Sequence, residues 1–113
     1  MNPDGWARVR EDVALQTPEY KASLEVFERG GDQMVFIHLY VFAPWSRTLL
    51  VRMQREWAFL RQHITCTLFA RPDNDDAQWE HFIRLFGFKF LTVADFEDGS
   101  RRRIFWLPGI SHG

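Results

Sequence analysis

Residues 79–88, WEHFIRLFGF, hold the pattern on which the fold assignment depends. Apolar side chains recur there at intervals of three and four residues, as on the buried face of a helix. They are Trp79, Phe82, Ile83 and Phe86. Gly87 follows at the position where helices commonly end in the left-handed conformation, which glycine adopts without strain. We therefore expect a helix over residues 76–86.

A β-hairpin is predicted directly after that helix. Residues 88–96 and 101–107 are rich in aromatic and β-branched side chains, which favour strands. Between them lie residues 97–100, EDGS, whose composition is typical of a turn.

Two strands and a longer helix are predicted before this region. Residues 33–43 are apolar at nearly every position, as in a central strand covered on both faces. Ser46 can cap a helix that extends to about His63 along a continuous apolar stripe. Residues 65–70 are predicted to form a second buried strand, in which Cys66 would be an inert, buried thiol.

The order of these elements predicts the fold class. Two strands connected through a helix are expected to pair in parallel, with a right-handed crossover. From residue 33 the order is strand, helix, strand, helix, strand, strand. We therefore expect the α/β (α+β) class, with a mixed central sheet and flanking helices.

Residues 1–32 form a short, divergent N-terminal segment of what we interpret as one domain over residues 1–113. The spacing of Trp6, Val9 and Val13 favours an amphipathic helix over residues 6–15.

Residues 18–29 fit two structures. Thr17 and Pro18 have the composition of a helix start. The alternation of residues 23–26, followed by the glycine pair 30–31, instead favours a strand and a hairpin turn. The sequence leaves this choice open.

Composition narrows the function classes. Hydrophobic residues make up 46% of the chain and aromatic residues 16%, which argues for a folded protein. The formal net charge of −1 argues against a strongly polyanionic partner. No apolar run is long enough to cross a bilayer, and the N-terminus lacks the features of a signal peptide. With a single cysteine, these features favour a reduced, cytoplasmic setting.

The element order from residue 33 onward resembles the C-terminal half of the GNAT fold, the family of acyl-CoA-dependent N-acyltransferases. Residues 31–33, GDQ, and 82–87, FIRLFG, followed by a charged hairpin, are similar to the small GNAT-like proteins of tailed podophages. The resemblance implies that the first parallel strand leads into a helix whose N-terminal amides hold the CoA pyrophosphate. It also implies that the two parallel strands splay apart and leave a slot for the pantetheine arm.

Two departures from the family pattern argue against acyltransferase activity. The family's pyrophosphate loop is rich in glycine, whereas residues 43–50, APWSRTLL, contain none. Many members place a tyrosine four residues before a Gly-Phe pair, where it protonates the departing thiolate. The corresponding residue is Ile83, and its neighbour Phe82 has no hydroxyl group either.

The resemblance implies acetyl-CoA as a possible cofactor and assigns residues to it. The candidates for binding its phosphates are Ser46, Arg47 and Thr48 at the start of the predicted helix. Asn74 would line the slot.

The sequence offers two candidates for catalytic residues. His38 and Tyr40 share one face of the predicted strand 33–43 and are the titratable side chains nearest the implied slot. An ordinary strand histidine is the competing interpretation of His38. No metal site is predicted, because the histidines and the cysteine lack ligand spacing.

The long helix also offers a surface for a macromolecular partner. Arg52 and Arg55 lie opposite its apolar stripe, and Phe59 lies among the arginines. Arginine and aromatic side chains are enriched at binding hot spots.

Three functions follow, in order of preference. The first is a degenerate GNAT-like phage protein that binds a host or virion protein, with acetyl transfer weak or absent. The second is an active acetyl-CoA-dependent N-acetyltransferase. The third is nucleic-acid binding, against which the near-zero net charge argues. The aromatic content is also compatible with a homodimer.

Overall fold

The computed structural model describes residues 2–71 and 77–109, except for the side chains of residues 77 and 78. The strands are β1 (Ala7–Gln16), β2 (Tyr20–Arg29), β3 (Asp32–Val41), β4 (Leu68–Ala70), β5 (Lys89–Asp95) and β6 (Arg101–Leu107). The helices are α1 (Arg47–Arg61) and α2 (Ala77–Leu85).

The described strands form one mixed sheet in the order β1-β2-β3-β4-β6-β5. Only the β3–β4 pair is parallel, and α1 connects these two strands, as predicted. All other neighbouring pairs are antiparallel. The α/β (α+β) class and the mixed sheet are therefore confirmed.

The predicted helix over residues 6–15 is wrong, because these residues form β1. Two register shifts along β1, between Arg8 and Arg10 and between Val13 and Leu15, interrupt the alternation of its side chains. In a strand with such irregularities, the side chains no longer alternate with a period of two. The four-residue spacing of Val9 and Val13 was therefore mistaken for the spacing of a helix.

The open choice for residues 18–29 is decided in favour of a strand. β2 runs antiparallel to β3 through the turn at Gly30 and Gly31, and Gly30 has a φ of +59°. Thr17 caps a turn rather than a helix, since its Oγ1 accepts the backbone N–H groups of Glu19 and Tyr20. The N-terminal segment thus supplies two strands of the central sheet.

Helix α1 begins as the sequence predicts. The Oγ of Ser46 accepts the backbone N–H of Leu49 at 3.0 Å, which satisfies one of the unpaired donors of the first turn. The inward face of α1 buries Leu49, Met53 and Trp57.

Helix α2 and the terminal hairpin also follow the prediction. Gly87 has a φ of +94°, the left-handed conformation expected at a helix end. Strands β5 and β6 pair around the turn at residues 97–100, where Gly99 also has a positive φ.

The second predicted strand is shorter than expected. β4 covers only Leu68–Ala70, and residues 65–67 precede it without strand pairing. The thiol of Cys66 is exposed, so its predicted burial is wrong. Its apolar sequence neighbours gave no sign that pairing begins only at Leu68.

Both helices pack on the same face of the sheet. Trp57 of α1 and Ile83 of α2 share a core cluster with sheet residues such as Phe105, and the indole Nε1–H of Trp57 donates to the backbone oxygen of Phe86 at 3.1 Å. The strand was predicted to be covered on both faces, whereas the described helices lie on one face only and most residues of β3 are partly exposed.

The opposite face of the sheet has its own aromatic cluster. It contains Phe27, Phe36, Phe96 and Ile104, with Trp6 packed against them. Residues before β1 bind back to the hairpin, since the N–H of Asp4 donates to the oxygen of Asp95 at 2.9 Å. The rest of this helix-free face carries polar side chains, which form the site described next.

Candidate active site

The sheet opens between β3 and β4. Only two residue pairs, Val35–Leu68 and Phe36–Phe69, join these strands. β3 continues to Val41, so its β4-facing edge beyond Phe36 has no strand partner within residues 2–71 and 77–109. A strand edge of this kind presents unpaired backbone groups to any extended chain that lies along it.

An apolar cavity of about 90 Å³ lies at this gap, on the helix side of the sheet. Since roughly 10–15 Å³ of such space holds one water molecule, the cavity can take a small organic group. Apolar side chains from α1, α2, β3 and β4 line most of it. They include Met53, Trp57, Phe82, Ile83, Ile37 and Ala70.

The cavity ends at three polar side chains, Glu25, His38 and Arg71. The same three residues also line a polar cavity of about 380 Å³ with side chains of the helix-free face. These shared linings place the polar cluster at the point where the gap between β3 and β4 reaches the other side of the sheet.

Glu25 and His38 form the central pair of this cluster. They lie on adjacent strands, and Nδ1 of His38 is 3.1 Å from Oε1 of Glu25. The hydrogen bond to His38 is the main reason that the pKa of Glu25 is lowered, with Arg71 and Arg8 contributing through their charge. The side chain of Glu25 is 9% exposed and that of His38 is 31% exposed, so solvent reaches the ring.

This geometry fixes the tautomer of neutral His38. Because Glu25 is ionised and can only accept, Nδ1 must carry the hydrogen of the shared bond. Nε2 is then left with a lone pair and can accept a proton. A carboxylate that orients a histidine in this way is the arrangement found in general-base catalysis.

A second carboxylate extends the cluster onto β1. Glu11 accepts hydrogen bonds from the hydroxyl groups of Ser23 and Tyr40. The bond from Ser23 is the main cause of the lowered pKa of Glu11, and burial raises the pKa of Tyr40. The Tyr40 ring stacks on His38 at 4.2 Å between centroids, so Tyr40 buttresses the imidazole while its hydroxyl is bound to Glu11.

Arginines surround these groups. Nε of Arg8 lies 3.3 Å from Glu25, and Arg8 also pairs with Glu11. The guanidinium of Arg71 lies over the rings of Phe27, Phe36 and Phe96 at 5.6, 5.1 and 5.2 Å. Three aromatic faces of this kind restrict the orientation of a guanidinium.

The predicted phosphate-binding residues lie at the exposed start of α1, which follows the end of β3. The first turn of α1 contains no acidic residue, as suits an anion site. The hydroxyl of Ser46 is already used as the cap, which leaves Arg47 and Thr48. Leu49 points into the core and does not obstruct this end of the helix. Asn74 lies outside the described residues.

The predicted partner-binding residues, Arg52, Arg55 and Phe59, line neither of these two cavities. Arg52 pairs with the carboxylate of Glu19, whereas Arg55 is exposed. Phe59 is 67% exposed, and Val51 on the same side of α1 is 46% exposed.

Sequence reasoning placed His38 and Tyr40 on one face but missed the groups that orient them. The available signal for Glu25 was an acid between Leu24 and Val26 in an apolar stretch. A charge in that setting is expected to have a buried partner. The identity of the partner depended on the pairing of Ser23 with His38 across β2 and β3.

A second buried pair was also missed, on the helix side. Tyr20 lines the apolar cavity, and its hydroxyl donates to Glu56 of α1. Burial, followed by this bond, raises the pKa of Tyr20 far above its ordinary value. This hydroxyl is therefore committed to Glu56.

Within the described ranges, no three His, Cys, Asp or Glu side chains are placed to hold a metal ion. None of the described helices is both long and apolar enough to span a membrane. No protein-family model, curated protein or solved structure matches this chain.

Proposed function

We propose that this chain is a GNAT-like N-acyltransferase that moves an acyl group from acetyl-CoA, or a similar thioester, to an amine. The observation that carries the proposal is the His38–Glu25 pair at the polar end of the cavity between β3 and β4. A sheet in which one parallel pair splays apart between antiparallel pairs also supports it.

Three features of the site fit a thioester carrier. The edge of β3 from Ile37 to Val41, which has no strand partner among the described residues, offers backbone groups to an extended amide chain. The apolar cavity suits the acyl end of the molecule. The start of α1, with Arg47 and no acidic residue in its first turn, suits a phosphate. When bound, the carrier supplies an acyl group that is activated as a thioester.

The chain's own residues would then accept the proton that the attacking amine loses. Transfer forms a C–N bond and breaks the C–S bond, and the attacking nitrogen loses a proton. Nε2 of His38 accepts that proton, and Glu25 stabilises the resulting imidazolium. Thiols ionise with an ordinary pKa of about 8.5, so the sulfur can leave without an acid at the position of Ile83.

The test is release of free thiol from acetyl-CoA in the presence of a panel of primary amines. We expect His38→Gln to lower the rate by roughly 100-fold or more, the usual contribution of a general base. His81→Gln is the matched control, because His81 is an exposed residue of α2. No amine-dependent thiol release by the wild-type chain, or equal rates for both variants, would exclude this function.

A second candidate function is binding of a protein partner by the outer face of α1, with acetyl transfer weak or absent. Val51, Arg55 and Phe59 follow one another at four-residue intervals on that face, and Phe59 has the largest exposure among the described large apolar side chains. Sedimentation of wild type and Phe59→Ser tests whether a second copy of the chain covers it. A monomer in both cases would leave only a different protein as the partner.

A further inference from the structure

The polar cavity on the helix-free face has an uneven distribution of charge across the sheet. On the β1–β2 side of the gap it is lined by Glu11 and Glu25 together with Arg8. On the other side it is lined by Arg71, directly after β4, and Arg102 of β6. His38 lies between the two sides, on β3.

The acidic side suits an ammonium group. Both carboxylates there have lowered pKa values, so they remain ionised at neutral pH. Arg8 offsets part of their charge through its contacts with both, and the charge of Arg71 from the other side of the gap also acts on Glu25. An ammonium group next to Glu25 would lie beside His38, which removes one of its protons, and the departing thiolate takes the second proton that the nitrogen loses on acylation.

The basic side suits a carboxylate. The contacts that hold Arg102 in place include those of its Nε with Oγ of Ser100 at 3.1 Å, of its NH2 group with Asp98 at 3.4 Å, and of its guanidinium with the Phe96 ring at 5.2 Å. With Arg71 held over aromatic rings, this side presents two oriented guanidinium groups. Guanidinium groups are the side chains best matched to a carboxylate.

We propose that the acyl acceptor is a zwitterion, an amino acid whose ammonium group lies on the Glu25 side of the gap and whose carboxylate lies on the Arg71–Arg102 side. This inference rests on the proposed function for the identity of the reaction. The binding of the amino acid itself needs no acyl donor, so it can be tested separately.

The experiment is calorimetric or NMR titration of the full chain, without acetyl-CoA, with glycine, β-alanine, 4-aminobutyrate and 6-aminohexanoate. This series varies the distance between the two charged groups. Each compound is compared with its methyl ester, which lacks the carboxylate, and with its N-acetyl form, which lacks the ammonium group. We expect at least one member to bind roughly tenfold or more tightly than both of its derivatives.

The variant Arg102→Gln should weaken binding of that amino acid by roughly tenfold or more and leave its methyl ester unaffected. Arg101→Gln is the matched control, since the neighbouring Arg101 pairs with Asp95 at 3.3 Å, is 73% exposed and does not line the cavity. Arg101→Gln should preserve the difference between acid and ester.

The proposal is overturned if the esters bind as tightly as the free amino acids, or if no zwitterion binds at about 10 mM. It is also overturned if Arg101→Gln and Arg102→Gln weaken binding equally. Thiol release with simple amines that is unaffected by a carboxylate would retain the acyltransferase function and reject the zwitterionic acceptor.

Discussion

Nδ1 of His38 lies 3.1 Å from Oε1 of Glu25, across the β2–β3 pair and at the point where β3 and β4 part. This contact joins the fold to the proposed chemistry, because it orients an imidazole at the polar end of an apolar cavity. It also makes the stability of the protein depend on pH.

The lowered pKa of Glu25 predicts a loss of stability in acid. A carboxyl group whose pKa is lower in the folded chain stabilises the fold above its ordinary value of 4.5. That stabilisation is lost as the pH falls below this value, because the unfolded chain takes up the proton first. We expect urea titrations between neutral pH and about pH 3 to show a shallower decline for Glu25→Gln than for wild type. Identical slopes would contradict the role of Glu25 as an ionised partner of His38.

Ser46 is expected to stabilise α1 through its cap. Because Ser46→Ala removes the acceptor for the N–H of Leu49, it should lower the free energy of unfolding by about 1 kcal/mol. Ser46→Asp keeps an acceptor and should leave stability close to that of wild type. Chemical denaturation checks both variants, and equal losses would show that the cap contributes nothing.

Gly87 is expected to be intolerant of a side chain. Its φ of +94° is unfavourable for other residues, and a Cβ there would lie 3.3 Å from a side-chain atom of Leu107. Gly87→Ala should therefore cost about 1–2 kcal/mol of unfolding free energy. Gly31→Ala is the control, because open space surrounds its Cβ position and its φ is not in the left-handed region. A neutral Gly87→Ala would mean that α2 ends differently.

Cys66 is expected to react in the native protein. Its thiol is exposed in the segment before β4, so a thiol reagent should modify it fully without denaturant. A native chain that reacts only after unfolding would place Cys66 in a longer, buried β4, as the sequence alone predicted.

Local signals accounted for the central and C-terminal elements. Ser46 marked the start of α1, and Gly87 marked the end of α2. Each signal acts within a few residues of the chain, so one sequence was enough to recognise it. The spacing of His38 and Tyr40 likewise placed both side chains on one face of β3.

The rest depended on contacts between distant strands. Val9 and Val13 were misread because the register shifts of β1 exist only against its partner β2. The proximity of Glu25 and Arg71 to His38 could not be predicted without the pairing of β2, β3 and β4. Strand register is a relation between segments, and one segment's periodicity does not contain it.

The most direct test of the account is calorimetric titration of the purified chain with acetyl-CoA. The account predicts binding that Arg47→Ala weakens, since Arg47 lies at the start of α1, and that Arg55→Ala, on the exposed outer face of the same helix, leaves unchanged. No binding at about 1 mM acetyl-CoA would contradict the assignment of the gap between β3 and β4 as a thioester site.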